Sequence, residues 1–148
     1  MVNSIIDGIS IKLGEVFEDI DIYSESVKQG FKEPCFFIKT VSTSEDKMLA
    51  SRYFRNNSFD IHYFPSKNSE INKEMLNIAE DLYLNMEFIS LVNGDELYGH
   101  KLKHKIIDDV LHFQINYDMF IKKPSTKLDN MENINLSQNT KGWYFGQG

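Results

Sequence analysis

The sequence holds one cysteine and three prolines in 148 residues. Cys35 alone cannot close an intramolecular disulfide or supply a multi-cysteine zinc site, and this usage fits a reducing compartment. No stretch approaches the roughly 20 apolar residues that a spanning helix requires. The opening MVNSIIDGIS lacks a basic flank and a sustained apolar run, so no signal peptide is expected and the chain reads as made and kept in a cytoplasm. Positive charge is in deficit: 16 basic against 22 acidic residues leave a net charge of −6. That balance opposes a general attraction to phosphate backbones or anionic lipid, so neither sequence-specific nucleic acid nor a membrane is expected as partner. There is no glycine-rich phosphate loop, no G-x-S-x-G elbow, no internal repeat and no low-complexity tract.

What is present is an ordinary globular composition, 41% hydrophobic and 26% charged, at one domain's length. Ile5, Ile9, Leu13 and Val16 recur at helical spacing and predict a first helix over 3–17, with Asn3 or Ser4 as cap. Asp19 to Tyr23 alternates as a short edge strand. A turn over Lys28 to Pro34 leads into a strand from Cys35 to Val41, apolar on both faces and therefore central. Ser42 to Ala50 reads as a long hairpin tip, and Tyr53 to Phe64 resumes alternation with Tyr53, Phe59, Ile61 and Tyr63 inward. Asn68 or Ser69 caps a second helix carrying Ile71, Met75, Ile78 and Leu82 on one stripe. Glu96 to Ile106 and Val110 to Ile121 form a hairpin around Ile107-Asp108-Asp109, the second strand alternating from Leu111 to Ile121. The expected fold is α+β, a mainly antiparallel sheet of about five strands with two helices on one face, in the order α-β-β-β-α-β-β. This domain covers 1–123, and 124–148 form a polar C-terminal arm bearing Trp143, Tyr144 and Phe145, either a partner anchor or a loose terminus.

Chemistry is sparse. His100 and His104 lie four apart on a strand, about 13 Å of rise, which one ion cannot bridge. His62 and His112 point outward from two strands and approach only if those strands are neighbours. No carboxylate or thiolate completes a set at ligand spacing, so the sequence assigns no metal, no cofactor and no catalytic residue. Cys35 reads as a buried, inert thiol, and the adjacent acidic pairs such as Glu80-Asp81 as solvated surface. Lys101, Lys103 and Lys105 set three cations on one strand face, either an edge-protecting device or a contact for acidic groups. Arg52 and Arg55 flank Tyr53 and Phe54, a pairing enriched in interfaces, next to Met48 and Leu49 of the tip. The plain alternative is a solvated hairpin.

Three stretches together resemble a known family: Gln29-Gly30-Phe31-Lys32-Glu33-Pro34-Cys35-Phe36-Phe37-Ile38, Arg52-Tyr53-Phe54-Arg55 continuing to Ser58-Phe59-Asp60-Ile61-His62-Tyr63-Phe64-Pro65, and Val110-Leu111-His112-Phe113. They are similar to the tail terminator, or tail completion, proteins of phages, prophages and phage-tail-like particles of Gram-positive bacteria, over about residues 3 to 121. The resemblance implies a virion structural protein without enzymatic activity or cofactor. It implies a ring, usually a homo-hexamer, on the head-proximal end of the tail tube, ending tail polymerisation and meeting the head-tail connector. In a contractile particle, including a headless bacteriocin (tailocin), the ring also meets the sheath protein. The alternative within the same structural module is a head-closure or connector protein.

Overall fold

The computed structural model describes residues 2–24, 30–68 and 70–124. Trp143, Tyr144 and Phe145, and the arm that carries them, lie outside the described residues, as does the Ser69 cap. The elements are α1 (Val2–Val16), β1 (Asp21–Tyr23), β2 (Cys35–Lys47), β3 (Arg52–Phe64), α2 (Ile71–Asn85), β4 (Phe88–Ser90), β5 (Glu96–Ile107) and β6 (Val110–Lys122). The fold is α+β in the expected order, with the three-residue β4 added after α2. The sheet has six strands, ordered β1-β2-β3-β6-β5-β4, and β1 runs parallel to β2. The sheet is thus mainly antiparallel, as expected, with one parallel pair at its edge and six strands where about five were expected. A three-residue strand such as Phe88-Ile89-Ser90 is too short to show a period.

The central pairing is β3 with β6. His62 lies beside His112 and Asn57 beside Tyr117, so numbers fall on one strand as they rise on the other, as in an antiparallel pair. On the inner face Phe59, Ile61, Leu111, Phe113, Ile115 and Tyr117 are fully buried. Both helices lie over this face. Phe17, at the end of α1, packs on Phe36, which stacks on Tyr63, while Tyr83 of α2 meets Phe113 edge-on. Burying these six aliphatic or aromatic side chains contributes on the order of 10 kcal/mol, before entropy is charged against it. On the other face Tyr23, Phe31, Phe37 and Phe64 form an aromatic group with centroids 5.2 to 5.5 Å apart. This explains why Cys35 to Ile38 are buried on both sides, as the apolar run predicted.

Two expectations change. Strand β2 continues to Lys47, so the polar run after Val41 is strand and only residues 48–51 turn. Beyond Ile38 its residues are largely exposed, which is why they are polar without being loop. The cap of α2 is also different. Glu70 occupies the cap position without a side-chain hydrogen bond, and Asn68 accepts from the Glu70 amide at 2.7 Å. The entry is fixed instead by Glu74 in the first turn, whose carboxylate accepts from Tyr63 (2.5 Å), from the Ser66 amide (2.9 Å) and hydroxyl (2.7 Å), and from Asn68 (2.8 Å). An acidic residue here also suits the positive end of the helix dipole.

By internal contacts the described residues form two compact units, one within 2–44 and 56–118, the other within 45–55 and 119–124. In the first, a bulge in β5 shifts the alternation. His100 pairs with Asn116 and Lys103 with Gln114, so two residues, Lys101 and Leu102, oppose Ile115. Lys101 takes φ +56°, the left-handed region.

Burial tends to raise the Glu74 carboxyl, but its hydrogen bonds from Tyr63, Ser66 and Asn68 prevail and hold it below its ordinary value of 4.5. A depressed carboxyl stabilises the fold above its unfolded value and loses that contribution as pH falls through the folded one. Glu74→Gln is expected to cost about 1–3 kcal/mol at neutral pH. Denaturant midpoints measured from pH 7 downward should converge for the two proteins below about 4.5, with most of the wild-type loss there.

Candidate functional site

The second unit is built around the β2–β3 turn. The Met48 amide donates to the Arg52 carbonyl and the Arg52 amide to the Leu49 carbonyl, both at 2.9 Å. Ala50 closes the turn at φ +53°, a conformation that costs an L-residue about 1 kcal/mol. This tight turn projects Met48 and Leu49 into solvent, at 53% and 80% exposure. Large apolar side chains held outward on a short hydrogen-bonded turn suit docking, since little order is lost on binding.

Behind the turn lies an ionic cluster. Glu45 accepts from Arg55 Nη2 at 2.7 Å and Nε at 3.2 Å, and its second oxygen accepts from Lys123 Nζ. Lys123 Nζ also sits 4.1 Å above the Tyr53 ring, and its amide donates to the Ser51 carbonyl at 2.9 Å. The hydrogen bond from Lys123 first, then that from Arg55, hold the Glu45 carboxyl below its ordinary range against the opposing effect of burial. Phe54 stacks obliquely on Phe120, which is 66% exposed. The sequence singled out both arginines equally, but the structure separates them. Arg52 is exposed at the turn, whereas Arg55 is committed to Glu45 and acts as a brace. The sequence pattern takes Glu45, with Asp46, as an acidic pair on solvated surface, whereas it is the partner of Arg55 across the hairpin. It leaves out Phe120 and Lys123, because their pairing with 51–55 is non-local and no local pattern carries it.

In the first unit, Lys101 and Lys103 line one shallow pocket of about 340 Å³ with Val41, Ser58, Gln114 and Asn116. Lys105 pairs in register with His112. Strand β4 covers β5 only from Glu96 to Tyr98, so the rest of β5 is an open edge among the described strands, a setting in which lysines discourage stray pairing. His100 and His104 take opposite faces because of the bulge. His100 meets Asp118, and His104 Nδ1 meets the Tyr83 hydroxyl at 2.8 Å. Cys35 is fully buried, its thiol pushed up to about 11 by desolvation and then by Glu33 and Asp21, which makes it a poor nucleophile at neutral pH.

His62 and His112 do meet, because β3 and β6 are neighbours, with ring centroids 4.2 Å apart. The structure adds a carboxylate that ligand spacing in the sequence did not offer. Asp60 Oδ2 lies 3.0 Å from His62 Nε2 and 3.4 Å from His112 Nδ1. Burial raises the Asp60 carboxyl, but both histidines, His62 before His112, outweigh it and lower it. These three residues can present ligand atoms to one cation.

Glu45→Ala is expected to loosen the turn without unfolding the protein. Removing an acceptor shared by two cations should cost about 1 kcal/mol and speed amide exchange at Met48 and Arg52 several-fold by NMR, while Phe113 and Tyr117 amides keep their protection.

The stretches that resemble known proteins map onto this frame. Residues 30–38 lead into and open β2, 52–65 span β3 and its end, and 110–113 open β6, while Gln29 lies outside the described residues. Comparison with curated proteins finds no match. A family model described as phage tail terminator protein matches residues 4–129, and the chain belongs to that family.

Proposed function

We propose that this tail structural protein forms a homo-hexameric ring on the head-proximal end of a finished tail tube, ends tube growth and presents a surface to the head-tail connector. In a contractile particle the same ring meets the last layer of sheath. The observation that carries the reading is the family match across 4–129. Termination is a binding task, and no chemistry is needed for it.

Physical features support the assignment. A closed ring of identical subunits needs two different, complementary patches on each copy. Exposed lysines at 101, 103 and 105 supply one sign, and exposed carboxylates such as Glu80 and Asp81 on α2 supply the other. The net charge of −6 suits a bore through which DNA passes without adhering. We assign the tube contact to the turn. Met48 and Leu49 give apolar area, Arg52 gives a cation, and Phe54 with Phe120 widens the apolar surface. Arg55 supports this contact from behind.

Co-sedimentation with assembled tail tubes, with light scattering of the free protein, tests the reading. The protein is expected to bind one end of each tube at about six copies, as one closed ring requires, and Leu49→Ser with Arg52→Glu to weaken that binding tenfold or more at unchanged thermal stability. Binding along the tube wall, indifference to tubes, or capture by the connector alone would contradict it.

A further inference from the structure

We propose that Asp60, His62 and His112 form a binding site for one divalent transition-metal ion of the zinc class. The site lies on the face of the central β3–β6 pair opposite the helices, and it is independent of the tube-capping role.

The geometry carries this assignment. Asp60 and His62 are two apart on β3 and so share a face, and the β3–β6 pairing sets His112 beside them. One ligand atom from each residue lies within 4.8 Å of the others. Zinc bonds of about 2.0–2.1 Å in tetrahedral geometry place neighbouring ligand atoms about 3.3 Å apart. The two separations from Asp60 Oδ2, 3.0 and 3.4 Å, straddle that edge length, and the two histidine nitrogens lie within 4.8 Å of each other. Strands in mid-sheet hold the three residues, which limits the entropy lost on binding.

The chemistry of the donors selects the ion. Two imidazoles with one carboxylate suit zinc, cobalt, nickel or copper, whereas magnesium and calcium prefer sites made of oxygen alone. The side chains are 14–18% exposed, enough for an ion to enter and for a water to complete the shell. Both histidines converge on Oδ2, while the buried Oδ1 of Asp60 has no hydrogen-bond partner in the structure. A carboxylate with one buried oxygen unserved is stabilised by a cation placed against it. Lys105, opposite His112 in register, opposes a second cation, but its side chain is exposed and its field is screened by solvent.

Full-length protein titrated with Co²⁺ near neutral pH, followed by visible absorption, and with Zn²⁺ by calorimetry, tests the site. The expected result is one ion per chain with the intense absorption of tetrahedral cobalt. Affinity should fall tenfold or more in Asp60→Asn, His62→Gln and His112→Gln, each checked for a native circular-dichroism spectrum, since even outer-shell partners act on that scale. His100→Gln, which removes the other histidine–carboxylate pair, should leave binding unchanged. Absence of stoichiometric binding, octahedral cobalt, or binding that survives in folded His62→Gln and His112→Gln would overturn the proposal.

Discussion

The pairing of β3 with β6 is the constraint on which the rest of the first unit depends, and a buried amide secures it. Asn57 is fully buried and donates through Nδ2 to the Tyr117 carbonyl at 3.1 Å, while its Oδ1 accepts from Thr43 at 3.2 Å. Tyr117 in turn donates through its hydroxyl to the Met86 carbonyl at 2.5 Å, just past the end of α2. One continuous polar chain thus ties β2, β3, β6 and the end of α2 together through the core. Each group left unserved there would cost about 1–3 kcal/mol, so a slipped register, which would strand several at once, is strongly disfavoured. Burial pushes the Tyr117 hydroxyl far above its ordinary range, keeping it a neutral donor at all working pH values.

Fixing that register also fixes what each face presents. Phe59, Ile61, Phe113 and Tyr117 point toward the helices, so Asp60, His62 and His112 must point away. The histidine–carboxylate group is therefore a consequence of the same pairing that builds the core. In the second unit a different device operates. The turn has little core of its own, and Glu45, shared by Arg55 and Lys123, takes the place of apolar packing. An ionic brace of this kind leaves Met48 and Leu49 exposed, as the tube contact we propose requires.

Much of this was legible in the sequence, in proportion to how local the signal is. The alternation from Leu111 to Ile121 gave β6 and its inward residues, and the stripe at Ile71, Met75, Ile78 and Leu82 gave α2, because period and burial are written side by side. Asp108 and Asp109, both with positive φ, form the tight turn that links β5 and β6 where the break in pattern fell. The sequence pattern ends β2 at Val41 because residues 42–47 are polar on both faces, and exposure of both faces erases a strand's period. The bulge at Lys101 had no warning, since a lysine is an unusual occupant of left-handed backbone. Gly99 was not singled out either. A Cβ there would lie 2.4 Å from Ile115 Cδ1, so it is the close approach to Ile115 that requires glycine. In the sequence His62 and His112 approach only if their strands are neighbours, and Asp60 is not joined to them, because strand order is set by non-local pairing: nothing near Asp60 announces that His112 is its neighbour.

The chain belongs to a family of phage tail proteins, and the role we propose for it there is to recognise the end of a tube. The claim is most directly tested by electron microscopy of particles assembled in a host from which this chain has been deleted, with tail length as the readout. The account predicts tubes of broad and excessive length without heads attached, restored to one length by the intact chain. Tails of normal, uniform length in the deletion would contradict it.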